Sequence, residues 1–137
     1  MATVPLLDDD ALSPEAAAVF ADIRAVRGTD FVNNFWRSLA NDPALLKAVW
    51  ERLKQVMGPT EGLDPLTKEL IYIAVSTANG CEYCVHSHTA SARAKGMTDA
   101  QYADLLAVIG MASQTNALVT ALQTPVDPAF RAESDSG

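Results

Sequence analysis

Glu69-Leu70-Ile71-Tyr72-Ile73-Ala74-Val75-Ser76-Thr77-Ala78-Asn79-Gly80-Cys81-Glu82-Tyr83-Cys84-Val85-His86-Ser87-His88 decides the reading of this chain. Its first half is apolar nearly all round, which predicts a helix from Leu66 to about Ala78 at the centre of the core. Asp64-Pro65 supplies the cap and first turn. Asn79-Gly80 then turns the chain, and a second helix is predicted from about Cys81 to Lys95, ending at Gly96. So short a connection makes the two helices antiparallel.

Geometry then sorts the side chains. On the second helix Cys81, Cys84 and His88 share one face, because residues three, four and seven apart line up. His86 points about 200° away from Cys84 and is expected at solvent or an interface. The two thiols are near enough to bridge, and His88 can take or give their proton. The helix N-terminus favours thiolate at Cys81 and Cys84. At about 1.5 Å rise per residue, antiparallel levels match where residue numbers sum to about 159. Glu69 is then level with about Ala90, close enough to reach His88. The plainer alternative is a surface ion pair of Glu69 with Lys68 or Lys95. A carboxylate on so apolar a helix tends to have a partner or a task.

Outward from this pair the pattern stays helical. Ser13-Pro14 opens a helix that ends at Gly28. A second spans about Phe31 to Ala40. Asp42-Pro43 starts a third, with Leu45, Leu46, Val49, Trp50, Leu53 and Val56 at helical spacing, which stops at Gly58-Pro59. Thr98 and Gln101 form a capping box for a helix reaching Ile109. Another is predicted over 112–122. Trp36, Trp50, Phe31, Phe35 and Tyr102 read as core or subunit contacts. No strand alternation or internal repeat is present. The expectation is an all-α single domain over residues 1–137, of about six to seven helices, with a frayed polar tail at 132–137.

Composition narrows the function. The 137 residues carry 17 acids and 10 Lys and Arg, a net charge of -7. That balance argues against nucleic acid as partner and against an anionic membrane surface. No uninterrupted apolar run of spanning length stands out, and the first ten residues lack a basic, then apolar, leader pattern. The cytoplasm is the expected location, where a Cys-x-x-Cys pair is more often catalytic or metal-binding than structural. Zinc on Cys81, Cys84, His88 and Glu69 is the metal reading. Closed structural zinc sites draw on a second Cys/His pair, which the chain lacks, so no metal and no cofactor is expected.

These residues resemble the AhpD-like alkylhydroperoxidases of the carboxymuconolactone decarboxylase superfamily, whose pattern is a Glu, eleven residues, then Cys-x-x-Cys-x-x-x-His. Here that reads Glu69, Cys81, Cys84 and His88. The run from Asn79 to His86 is similar to the branch called peroxidase-related enzymes, and the helical pattern from about Phe31 to Gly96 is similar too. The resemblance implies an AhpD-like helical fold with the active site on the central antiparallel pair, assembly into trimers or hexamers, and reduction of hydroperoxides by a dithiol–disulfide cycle fed by an unknown thiol or dithiol reductant. It implies attack by Cys84, resolution by Cys81, and a Glu69–His88 proton relay. The family's better-studied members have a histidine between the cysteines. This chain has Tyr83, a possible relay residue in its place. A thiol–disulfide relay or redox sensor without peroxidase activity is the alternative function.

Overall fold

The computed structural model describes residues 1–131, and among them every regular element is helical. Six α-helices follow in order: α1 Pro14–Arg27, α2 Asn34–Leu39, α3 Pro43–Met57, α4 Pro65–Ala78, α5 Glu82–Ala94 and α6 Asp99–Leu122. Short 3-10 turns stand at Asp9–Ala11 and Pro128–Phe130. The expected tail at 132–137 lies outside the described residues. The chain forms two compact units, one of residues 1–62 and one beginning at Leu63.

The first unit is built on capped helices. Ser13 accepts from the Ala16 amide at the start of α1, and Asp42 does the same for Leu45 at the start of α3. Each supplies one of the acceptors that a helix start lacks. Gly28 closes α1 at φ 65°, a conformation that costs glycine little. The core joins Ala16, Val19, Phe20 and Ile23 of α1, Val32, Trp36 and Ala40, and Leu46 and Trp50 of α3. Trp36 and Trp50 meet edge to face at 5.4 Å, and the Arg27 guanidinium stands 5.6 and 5.5 Å from their rings. Trp50 Nε1 donates to Asp22 at 2.7 Å, and Lys54 donates to the same oxygen. The N-terminal strap is tied to Arg37, whose guanidinium donates to the Leu7 carbonyl at 2.8 Å.

The second unit is built around the decisive stretch. Asp64 caps α4 through the Thr67 amide, and Gly80 turns the chain at φ 68°. The Cys81 amide donates to the Ser76 carbonyl at 2.9 Å, and α5 runs back along α4. Ile73, Ala92 and Met97 are buried, with Leu66, Leu70, Tyr102 and Leu105 packed on them.

Two expectations are corrected here. Helix α4 is not buried all round. Its buried residues are Glu69, Ile73 and Ser76, whereas Ile71 and Val75 face outward. The two helices predicted either side of Gly110 are one 24-residue helix, α6. A single glycine costs a helix only about 1 kcal/mol relative to alanine, and the surrounding helix formers carry the chain through it. Read as one element, α6 is long and apolar enough, by length and composition, to cross a membrane, which the divided reading hid. None of its residues is buried within the chain.

Candidate functional site

The site lies between one stripe of α4 and one stripe of α5. Glu69, Tyr72 and Ser76 follow one another at three- and four-residue steps on α4. Cys84, His88, Ser91 and Lys95 do so on α5, with Cys81 at its N-cap. Such spacing keeps each set on one helix face.

Glu69 is the hub. It is buried, at 3% exposure. His88 Nδ1 lies 2.7 Å from its Oε2. Ser91 Oγ donates to Oε1 at 2.9 Å, and Lys95 Nζ donates to the same oxygen at 3.1 Å. Lys95 Nζ also donates to Ser91 Oγ at 2.9 Å. Burial works to raise the Glu69 pKa, but the hydrogen bonds from His88, Lys95 and Ser91, with the lysine charge, outweigh it and hold the carboxyl below its ordinary value. An ionised carboxylate only accepts, so Nδ1 carries the proton in neutral His88 and Nε2 keeps its lone pair. The Tyr72 ring stacks on the imidazole, with centroids 3.6 Å apart and planes 21° apart. Burial and the nearby Cys84, Glu69 and Cys81 charges raise the Tyr72 phenol, so it stays protonated.

The two cysteines are free and half-buried. Their acidities are pushed apart. The Cys84 thiol and the Cys84 backbone amide both hydrogen-bond Cys81 and lower its pKa. Cys84 is pushed up to about 11, first by burial and then by its neighbour's charge, with a hydrogen bond from Ser76 opposing the shift. Of the two thiols Cys81 is therefore the easier to ionise, at the helix N-cap, where backbone amides favour an anion.

All four residues of the sequence pattern lie in this one unit, with Glu69 paired to His88 and Cys81 to Cys84. Tyr83 is 43% exposed on the first turn of α5, and the tyrosine against His88 is Tyr72. His86 is exposed, as its helical position requires. Tyr72, Ser76 and Ser91 were not singled out from sequence, although each lies a turn or so from a residue that was. The sequence offers Lys95 only as a surface partner of Glu69 in place of His88. Glu69 holds both. Among the described residues no group of three or more His, Cys, Asp or Glu is placed to hold a metal ion, and both Glu69 oxygens are committed to other donors.

Residues 43–126 match the profile of the carboxymuconolactone decarboxylase family. The chain belongs to this family. Within it, the fold is similar to the crystal structure of the alkylhydroperoxidase AhpD core from Rhodospirillum rubrum. The TM-score is 0.92 and the identity 70%, over 95% of this chain and 97% of that one. An alkyl hydroperoxide reductase AhpD of Solibacter usitatus is 33% identical over 122 residues, 89% of this chain and 64% of that protein. One from Mycobacteroides abscessus is 42% identical over 64 residues, 44% of this chain and 37% of that protein. The chain thus spans less than two thirds of the length of these two curated relatives.

Proposed function

We propose that the chain is a thiol-dependent peroxidase that reduces hydroperoxides through a Cys81–Cys84 dithiol–disulfide cycle. The observation that carries this reading is the Glu69–His88 pair between α4 and α5, on the same helix pair as two free cysteines that hydrogen-bond each other, with the carboxyl held below its ordinary pKa and the Cys81 thiol lowered by Cys84. The relatives named as alkyl hydroperoxide reductases and the alkylhydroperoxidase core support a peroxidase-related role.

The chemistry balances as follows. A thiolate attacks the outer peroxide oxygen, the O–O bond breaks, and the alkoxide leaves as alcohol after taking a proton. The second thiol, deprotonated by His88 Nε2, attacks the sulfenic sulfur and releases water. A thiol or dithiol reductant, still unidentified, reopens the disulfide by exchange. The resemblance gives the first attack to Cys84. The lowered Cys81 thiol and the raised Cys84 thiol favour the reverse order, with Cys84 as the resolving thiol.

Peroxide consumption with a dithiol tests the cycle, and no consumption above the uncatalysed rate would overturn it in favour of a thiol–disulfide relay or sensor. Trapping the sulfenic acid in Cys81→Ser and in Cys84→Ser assigns the order. A trapped adduct on Cys81 supports the reversed order, and one on Cys84 supports the order implied by the resemblance. A reducing cytoplasm suits such a cycle.

Self-assembly belongs to the same proposal. Helix α6 exposes Leu106, Val108, Met111, Leu118, Val119 and Leu122. A stripe of this kind on a soluble domain needs a cover. The net charge of -7 disfavours an anionic bilayer, so further copies of this chain are the cover we propose. Light scattering should give a multiple of 14.6 kDa. A monomer in buffer that binds neutral vesicles would place α6 against lipid instead.

A further inference from the structure

We propose that Lys95 and Ser91 are positioning residues of the relay, which fix Glu69 with Oε2 turned to His88. The inference rests on reading Glu69 and His88 as the proton acceptor for the thiols.

The direction of every hydrogen bond in the cluster follows from donor inventory. Lysine has donors only, so Ser91 Oγ accepts from Lys95 Nζ at 2.9 Å. Its single hydroxyl proton is then free for Glu69 Oε1, 2.9 Å away. Lys95 adds a second donor to the same oxygen at 3.1 Å. Oε1 is thereby filled from the far end of α5, and Oε2 is left to His88. Lys95, Ser91 and His88 stand on one stripe of α5, so this helix supplies both the base and the groups that aim its acid. A buried carboxylate without these donors would lean toward the neutral acid, which can no longer fix the Nδ1 proton. The other titratable groups facing the cluster are Tyr72 from α4 and Cys81 and Cys84 from α5. On α6, Asp99 is paired with Arg93 at 3.3 Å, and Tyr102 lies under the same guanidinium.

The test needs no peroxide. Alkylation of the thiols by iodoacetamide is followed against pH in the full chain, for wild type, Lys95→Met, Lys95→Arg and Ser91→Ala. The Lys95 side chain is 38% exposed, and methionine keeps most of its apolar stem. With Lys95→Met the acid limb should move to higher pH, so that the rate at its foot falls about three- to tenfold while the plateau holds. Ser91→Ala should move it the same way by less, and Lys95→Arg should restore it. Nitrogen NMR of His88 should show the Nδ1–H tautomer in wild type and a mixture in Lys95→Met. A limb that superimposes on wild type, or a lowered plateau with an unmoved limb, overturns the proposal and leaves Lys95 as a surface ion pair. A wild type that consumes no peroxide strikes the proposed cycle but leaves this alkylation result standing.

Discussion

The interiors of the two units differ in size and in what fills them. The unit of residues 1–62 fills its core with Phe20, Ile23, Trp36, Leu46 and Trp50, and its inward polar groups act as braces, as Asp22 does on the Trp50 indole. The unit that begins at Leu63 buries Ile73, Ala92 and Met97, and gives the rest of its inner face to Glu69 and Ser76. It also leaves much of α6 exposed, with only Tyr102 and Leu105 packed on its core. One interior is filled by apolar packing and the other is largely given to polar side chains, and the neighbours proposed above would cover the second.

The comparison breaks first at the thiols. Cys84→Ser and Cys81→Ser should each abolish catalytic turnover with peroxide, by a hundredfold or more on the order of mutations to paired catalytic groups. Neither should shift the melting of the tryptophan core. Loss of turnover in only one of the two would show that a single thiol suffices.

In the first unit the largest effect falls on stability. Phe20 is fully buried, and Phe20→Ala should cost about 3–5 kcal/mol by denaturant titration. The iodoacetamide profile of the remaining folded protein should not move. A moved profile would mean that the first interior also tunes the thiols.

Glu69→Gln sharpens the contrast. Its amide cannot accept from His88, Ser91 and Lys95 together, and a mispaired buried group costs about 1–3 kcal/mol. The folded pKa of Glu69 lies below its ordinary 4.5. The stability it adds is therefore present above that value and is lost as pH falls through the lower folded value. The gap between wild type and Glu69→Gln should be widest near neutral pH and close on acidification below 4.5. A gap that does not depend on pH would mean the carboxyl is not ionised in the fold.

The smallest effect tests α6. No heavy atom stands within 4 Å of a β-carbon placed on Gly110. Gly110→Ala should stabilise the helix by about 0.5–1 kcal/mol. Destabilisation, or loss of the assembled state, would show that a neighbouring copy passes close to Gly110.

Local chemistry made most of the helix starts legible. Ser13-Pro14, Asp42-Pro43, Asp64-Pro65 and Thr98 with Gln101 act within a single turn, and each stands where the sequence puts it. Gly110 misled because a weak local preference was read as a stop. Helix α4 misled because composition does not say which face turns inward, and its inward face holds Glu69 and Ser76. The Glu69–His88 pairing could be read because a two-residue turn fixes the level of antiparallel helices. The stacking of Tyr72 and the reach of Lys95 depend on helix rotation, which level alone does not give.

Both tryptophans, Trp36 and Trp50, lie in the first unit, and both cysteines lie in the second. Each indole sits beside the Arg27 guanidinium, and Trp50 also holds the Asp22 carboxylate, so their emission responds to any loosening of that packing. Tryptophan emission, excited at the red edge where the three tyrosines of the second unit absorb little, therefore reports on residues 1–62, and a thiol-reactive dye reports on the chain from Leu63 onward. A single heating experiment read in both channels follows the two halves separately without any engineered probe site.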